Sequence, residues 1–166
     1  MGKAASIIVL AAASAVVAGA FIKKKNTPFA SPVNADVDKY GNVYINDDGR
    51  TLFKIDPNAR TRTKIPTTKT PSIFQPYKAI AVDSEGEYIY AIYKFSNSVD
   101  KIDIKSGVIK SIGENASPYI YLPTDIATDD AGNVYITEST KYDLLTNKFY
   151  SFVRKIDVNT DVVTTL

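Results

Sequence analysis

Five landmarks recur three times in the same order along this chain, and that recurrence constrains its fold more than any other feature. An Asp stands at positions 38, 83 and 129, and a Gly follows three places later each time, at 41, 86 and 132. A Pro precedes the Asp by six or seven residues, as Pro32, Pro76 and Pro123. A Lys-Ile-Asp block comes next, at Lys54-Ile55-Asp56, Lys101-Ile102-Asp103 and Lys155-Ile156-Asp157, and nine residues after its Asp lies Ile65, Ile112 or Leu166. Within each copy apolar residues alternate over short runs such as Asp100-Lys101-Ile102-Asp103-Ile104, a period of two that belongs to strands. Asp-x-x-Gly fits the turn between the first two strands, because the Asp side chain bonds to turn amides and Gly accepts a positive φ.

Each copy therefore reads as four short antiparallel strands, and a four-stranded unit repeated every 45 to 54 residues is the pattern of β-propeller blades. The expected fold is all-β: three propeller blades forming a partial or half propeller, preceded by an N-terminal hydrophobic helix. The expected organisation is a signal peptide or membrane anchor over 1–20, a linker and approach to the first blade over 21–33, and blades over 34–65, 66–112 and 113–166.

The motif Pro-x-x-Ile-Ala-x-Asp-x-x-Gly-Asn-Val-Tyr-Ile, followed by Lys-Ile-Asp, resembles the NHL-type repeat. More broadly it is similar to the six-bladed propellers that include gluconolactonase-like and strictosidine synthase-like proteins. The resemblance covers about residues 30–166. It implies a fold that serves scaffolds, binding proteins and enzymes alike, so activity has to be argued from sites.

The N-terminus carries a different signal. Nineteen residues from Ala4 to Ile22 hold no charge and are bracketed by Lys3 and by Lys23-Lys24-Lys25. This reads as an export signal with its small triplet Ala18-Gly19-Ala20 at the cleavage position, or as an uncleaved anchor, which the trailing Lys triplet favours; an ordinary core helix is the third option. The protein is accordingly expected to be secreted or otherwise extracytoplasmic, or membrane-anchored, with the membrane met through this segment.

Composition then removes chemistry. The chain has no Cys and no His, which excludes disulfides, thiolate nucleophiles, Cys-based metal sites and the usual general base. A formal charge of +2 gives no ground for a nucleic-acid partner. What remains favours a binding or interaction module for a protein, small-molecule or glycan ligand. In a propeller the loops joining second to third strands share one end with the blade-to-blade connections. That end is enlarged in the third unit, where 20 residues separate Tyr135 from Lys155 against 10 from Tyr44 to Lys54. The expected contact face carries this long loop, 137–153, with Lys141, Tyr142, Asp143 and Tyr150, joined by Tyr77 and Tyr121 from the connections. Packing between blades is the competing role for Tyr77 and Tyr121.

Two alternatives stay open. One is a divalent-metal hydrolase of the lactonase kind, since lactonase-type propellers bind a cation with carboxylates; Asp125 is the candidate ligand for calcium or magnesium, as Asp38, Asp83 and Asp129 recur and are better explained as turn-formers. The other is a fragment of a larger propeller without independent function. Three blades leave two blade faces uncovered, which points to a head-to-tail homodimer. Charge runs the same way, since residues 21–65 hold nine Lys/Arg against five Asp/Glu and residues 113–166 hold four against eight.

Overall fold

The structure is a computed structural model that describes residues 28–73, 75–93, 95–139 and 141–166. The described residues form no helix, and the expected N-terminal helix lies outside them. Blade 1 is the sheet β1 (Pro32–Val37), β2 (Val43–Asp47), β3 (Thr51–Asp56), β4 (Thr61–Lys64), antiparallel and in sequence order. Blade 2 repeats it with β5 (Tyr77–Val82), β6 (Tyr88–Tyr93), β7 (Val99–Asp103) and β8 (Ile109–Ile112). In blade 3 the sheet runs β9 (Pro123–Thr128), β10 (Val134–Glu138), β13 (Val153–Ile156), β14 (Val163–Thr165), with a two-stranded hairpin, β11 (Lys141–Asp143) and β12 (Lys148–Tyr150), inserted between β10 and β13.

The recurring Asp residues close the turns. Asp38 Oδ1 accepts from the amides of Tyr40 and Asn42, both at 2.9 Å, and Asp129 Oδ1 from that of Asn133 at 2.8 Å. The Asp of Lys-Ile-Asp does the same between third and fourth strands: Asp56, Asp103 and Asp157 accept from the amides of Asn58, Ser106 and Asn159 at 2.7–2.9 Å. Each such contact offers the chain an alternative to continuing the strand.

The Asp-to-Gly spacing is the same in all three units, but beyond the Gly unit 2 needs a one-residue gap. Asp38 and Asp129 bond by their amides to the carbonyls of Asn42 and Asn133, four residues on, whereas Asp83 reaches Tyr88, five residues on. Glu87 is thus an extra turn residue, and Tyr90, not Ile89, stands where Tyr44 and Tyr135 stand. A one-residue error would turn every side chain of β6 to the opposite face. With the gap placed, each Tyr is the cross-strand partner of the Lys of Lys-Ile-Asp: Tyr44 and Lys54, Tyr90 and Lys101, Tyr135 and Lys155.

The inner strands β1, β5 and β9 run in one direction and bond across blades through side chains. Asn34 Nδ2 donates to the Ile80 carbonyl at 3.1 Å, the Val82 amide donates to Asp36 Oδ2 at 2.8 Å, and Thr128 Oγ1 donates to the Val82 carbonyl at 2.6 Å. These contacts satisfy backbone groups that the inner edge of β5 would leave unpaired. Two apolar cores follow, one per blade contact. Tyr44, Leu52 and Ile65 of blade 1 pack on Ile80, Val82 and Ile102 of blade 2. Ala81, Tyr90 and Val99 pack on Ile126, Val134 and Ile156 of blade 3. Each fully buried aliphatic side chain contributes about 1.5–3 kcal/mol.

The face of blade 3 that points away from blade 2 is different. Leu52 and Ile65 are 1% and 2% exposed in blade 1, and their counterparts Val99 and Ile112 are fully buried in blade 2; the third pair, Val153 and Leu166, is 42% and 69% exposed. Asp125 and Ala127 are also exposed, and Tyr135 is half-buried where Tyr44 and Tyr90 are buried.

Candidate functional site

All three blades share an orientation, so their loops sort into two ends. The strand-two to strand-three loops (47–51, 94–98, 139–152) and the blade connections (66–76, 113–122) meet at one, here termed the hairpin end. The turns closed by the recurring Asp residues meet at the other. The chain also approaches blade 1 at the hairpin end, where the amides of Ala30 and Ser31 donate to the buried carboxylate of Asp47 at 3.0 and 2.8 Å.

Where a long loop was expected, the chain forms the hairpin β11–β12, with Tyr142 opposite Phe149 and Asp143 opposite Lys148. Its reversal over Leu144-Leu145-Thr146-Asn147 places Asn147 at φ 54°, a left-handed conformation that Asn tolerates better than most residues. The tip is apolar and open: Leu144 is 85%, Leu145 97% and Phe149 70% exposed. Tyr150 is half-buried and its hydroxyl bonds to Thr146 Oγ1 at 3.2 Å, while its ring stacks on Phe152 with centroids 6.2 Å apart. Lys141, Tyr142 and Asp143 lie on β11, and their side chains are outside the described residues.

The hairpin springs from a buried ion pair. Glu138, at the end of β10, meets Arg154 of β13 at 3.1 Å, with side chains 1% and 8% exposed. Glu138 Oε1 also accepts from the Tyr121 amide at 3.0 Å, and the Arg154 guanidinium lies 4.5 Å over the Phe152 ring. The pair ties the connection into blade 3 to the root of the insertion. Sequence reasoning missed Arg154: the same blade position holds Phe53 in blade 1 and Asp100 in blade 2, so the repeat gave no signal for it.

The remaining candidates separate. Tyr121 is half-buried with its ring edge-on to Tyr119, centroids 6.3 Å apart, at the hairpin end. Tyr77 belongs to the core between blades 1 and 2: it is 1% exposed, its ring lies tilted 4.8 Å from that of Tyr93, and burial pushes its hydroxyl up to about 12. Asp125 is exposed on the open face of blade 3, where its Oδ1 accepts from the amide of Ile126 at 3.0 Å. Among the described residues no group of three acidic side chains is gathered to hold a metal ion.

No protein-family model matches the chain, and no curated protein sequence matches it. Solved structures do. A chain of Kuenenia stuttgartiensis hydrazine synthase superposes with a TM-score of 0.58 at 18% identity, over 87% of this chain and 37% of that one. A chain of a nidogen/laminin complex superposes with a TM-score of 0.59 at 14% identity, over 81% and 47%. At these identities the likeness is one of fold, and it agrees with the blades: the chain has a β-propeller-like fold. It spans less than half the length of either neighbour.

Proposed function

We propose that this protein is an interaction module built from NHL-like propeller blades, exported or held at a membrane by its N-terminal segment, and that it meets its partner with the hairpin end. The observation that carries this reading is the insertion itself. Blades 1 and 2 pass from second to third strand without it, so blade architecture does not require it, and it displays Leu144, Leu145 and Phe149 to solvent. Exposed apolar side chains gathered on a protruding element are a feature of contact surfaces. The nidogen/laminin neighbour belongs to a complex of proteins, which is consistent with such a use of the fold. Photo-crosslinking in intact cells tests the reading: a benzophenone amino acid at Phe149 should form adducts and the same group at Val108, on the opposite end, should not. Equal yields from both positions, or none from either, overturn it.

A second contact is supported by the open face of blade 3. Val153 and Leu166 occupy positions that are buried in both blades that have a following blade, so the face is shaped for one. The first blade of a second copy, arriving head-to-tail, supplies the matching surface, and the basic 21–65 and acidic 113–166 segments then face each other.

A further inference from the structure

We infer that the partner of the hairpin end is a lipid bilayer, with Leu144, Leu145 and Phe149 seated at the boundary of headgroups and acyl chains. The inference deepens the reading of that end as the contact surface, and rests on the form of the protein that retains residues 4–22 as an anchor.

The first argument is reach. Between Ile22, the last residue of the apolar run, and Pro28 lie five residues, Lys23 to Thr27. A fully extended chain covers at most about 3.5 Å per residue, so this tether holds Pro28 within roughly 20 Å of the membrane surface. Three residues later the amide of Ser31 is fixed to Asp47 at the hairpin end. The anchor therefore leaves the blades at the end that bears the hairpin, and a short tether keeps that end near the bilayer.

The second argument is how apolar surface is distributed. The exposed large apolar side chains Ile73, Phe95, Tyr119, Leu144, Leu145 and Phe149 stand on loops at the hairpin end. The turns at the opposite end carry Tyr40, Val108 and Val162. An interfacial contact buries apolar side chains to a depth of about 5–10 Å, which suits apolar side chains gathered at the tip of a hairpin.

Charge supplies the third argument. The six turns at the far end (38–42, 83–88, 129–133, 56–61, 103–108 and 157–162) hold ten of the chain's 18 carboxylates and three cations. The loops at the hairpin end (28–31, 47–51, 66–76, 94–98, 113–122 and 139–152) hold four carboxylates and five cations, and Lys23-Lys24-Lys25 precede them. An anionic leaflet repels the first set and attracts the second, which orients the molecule with the hairpin down.

The chain has no Trp, so single-Trp variants of the full protein report each end separately. Leu145→Trp and Val108→Trp are reconstituted into vesicles of phosphatidylcholine and phosphatidylglycerol, with and without lipids brominated on the acyl chains. Trp at 145 should emit to the blue of its value in detergent-free buffer and lose about half or more of its intensity to the bromolipid, while Trp at 108 should do neither. If the protein floats with the vesicles and Trp at 145 is unquenched, the bilayer contact is overturned and the interaction-module reading stands. A blue shift without quenching overturns it too and assigns the tip to a protein neighbour. If the protein does not float at all, the anchor falls and the inference with it. Leu144→Trp repeats the measurement one residue away, and circular dichroism of each variant checks that the blades are intact.

Discussion

At the scale of single residues, blades 1 and 3 are each organised around an Asp, a Tyr and a Lys drawn from the first turn and the second and third strands. Tyr44 donates its hydroxyl to Asp38 Oδ2 at 3.0 Å and Tyr135 to Asp129 Oδ2 at 2.9 Å, while Lys54 and Lys155 lie 5.5 and 6.0 Å over the two rings. The repeat made these residues visible as landmarks, but periodicity cannot show that they touch, because contact depends on strand register. Gly86 illustrates the same limit. Its φ of 68° is the property that Asp-x-x-Gly announces, yet a Cβ there would also come within 2.5 Å of Asp38 Oδ2 and 2.6 Å of the Tyr44 hydroxyl in the preceding blade. Gly132 also has a positive φ, 83°, and open space around it. Gly132→Ala should therefore cost about 1 kcal/mol from backbone strain, and Gly86→Ala about 1–3 kcal/mol more from crowding, in chemical denaturation. Equal losses would remove the blade contact from the account. Asp100 supports a prediction in pH. Burial raises its carboxyl above the ordinary range, against the hydrogen bond that the Tyr93 hydroxyl donates. A folded state that holds a proton more tightly than the unfolded chain loses stability as pH rises through that window. Asp100→Asn should raise the melting temperature near pH 7 and leave it unchanged near pH 3, below the carboxylate range. Asp103 and Asp157 have the opposite sign: amides of Ser106 and Asn159 hold their carboxyls low, so the stability they confer is present at neutral pH and lost on acidification.

At the scale of elements, the twelve blade strands were legible because the landmarks recur in order, so a copy with a clear period of two locates the strands of the others. The hairpin β11–β12 was not. Its strands are three residues long, too short to establish a period, and the residue that reverses it is Asn147 rather than a Gly. Its attachment is more demanding than the hairpin itself. Removing one member of a buried ion pair leaves the other charged and unsolvated, so Glu138→Ala should destabilise the fold by about 3–5 kcal/mol. Replacing residues 141–150 with Asn-Gly should change stability by about 0.5 kcal/mol or less, since Leu144, Leu145 and Phe149 at the tip are exposed. Denaturant titration of the two variants checks the contrast. A large loss on deleting the hairpin would make it part of the fold and remove the reason for treating it as a contact element.

At the scale of the whole molecule, the repeat gave the number of blades, and the structure adds which surfaces they leave over. The Asn34-to-Ile80 hydrogen bond shows what one blade asks of the next: a side chain two residues into an inner strand reaches the inner edge of its neighbour. The strand pairings put Asp125 of blade 3 at the position of Asn34, and Ala35 of blade 1 at the position of Ile80. In a head-to-tail dimer, Asp125 of one copy and Ala35 of the other would therefore be neighbours, while each would be remote from its own counterpart. Because the chain has no Cys, this geometry can be read directly. Asp125→Cys and Ala35→Cys proteins, each purified alone, should give no covalent dimer with a short bismaleimide, and an equimolar mixture should give one. The double variant should give a dimer closed by two bridges, with the anomalous gel mobility of a ring. Dimers from Asp125→Cys alone would indicate that like faces pair, and no product from the mixture would mean that the open face of blade 3 is covered by something other than a second copy. A closed ring would also place both hairpins at the same end, because rotation about the channel axis keeps the ends of the blades together. Ring closure and bilayer contact are therefore compatible, and crosslinking on vesicles should raise the dimer yield above that in detergent, since confinement to a surface concentrates the copies in one orientation.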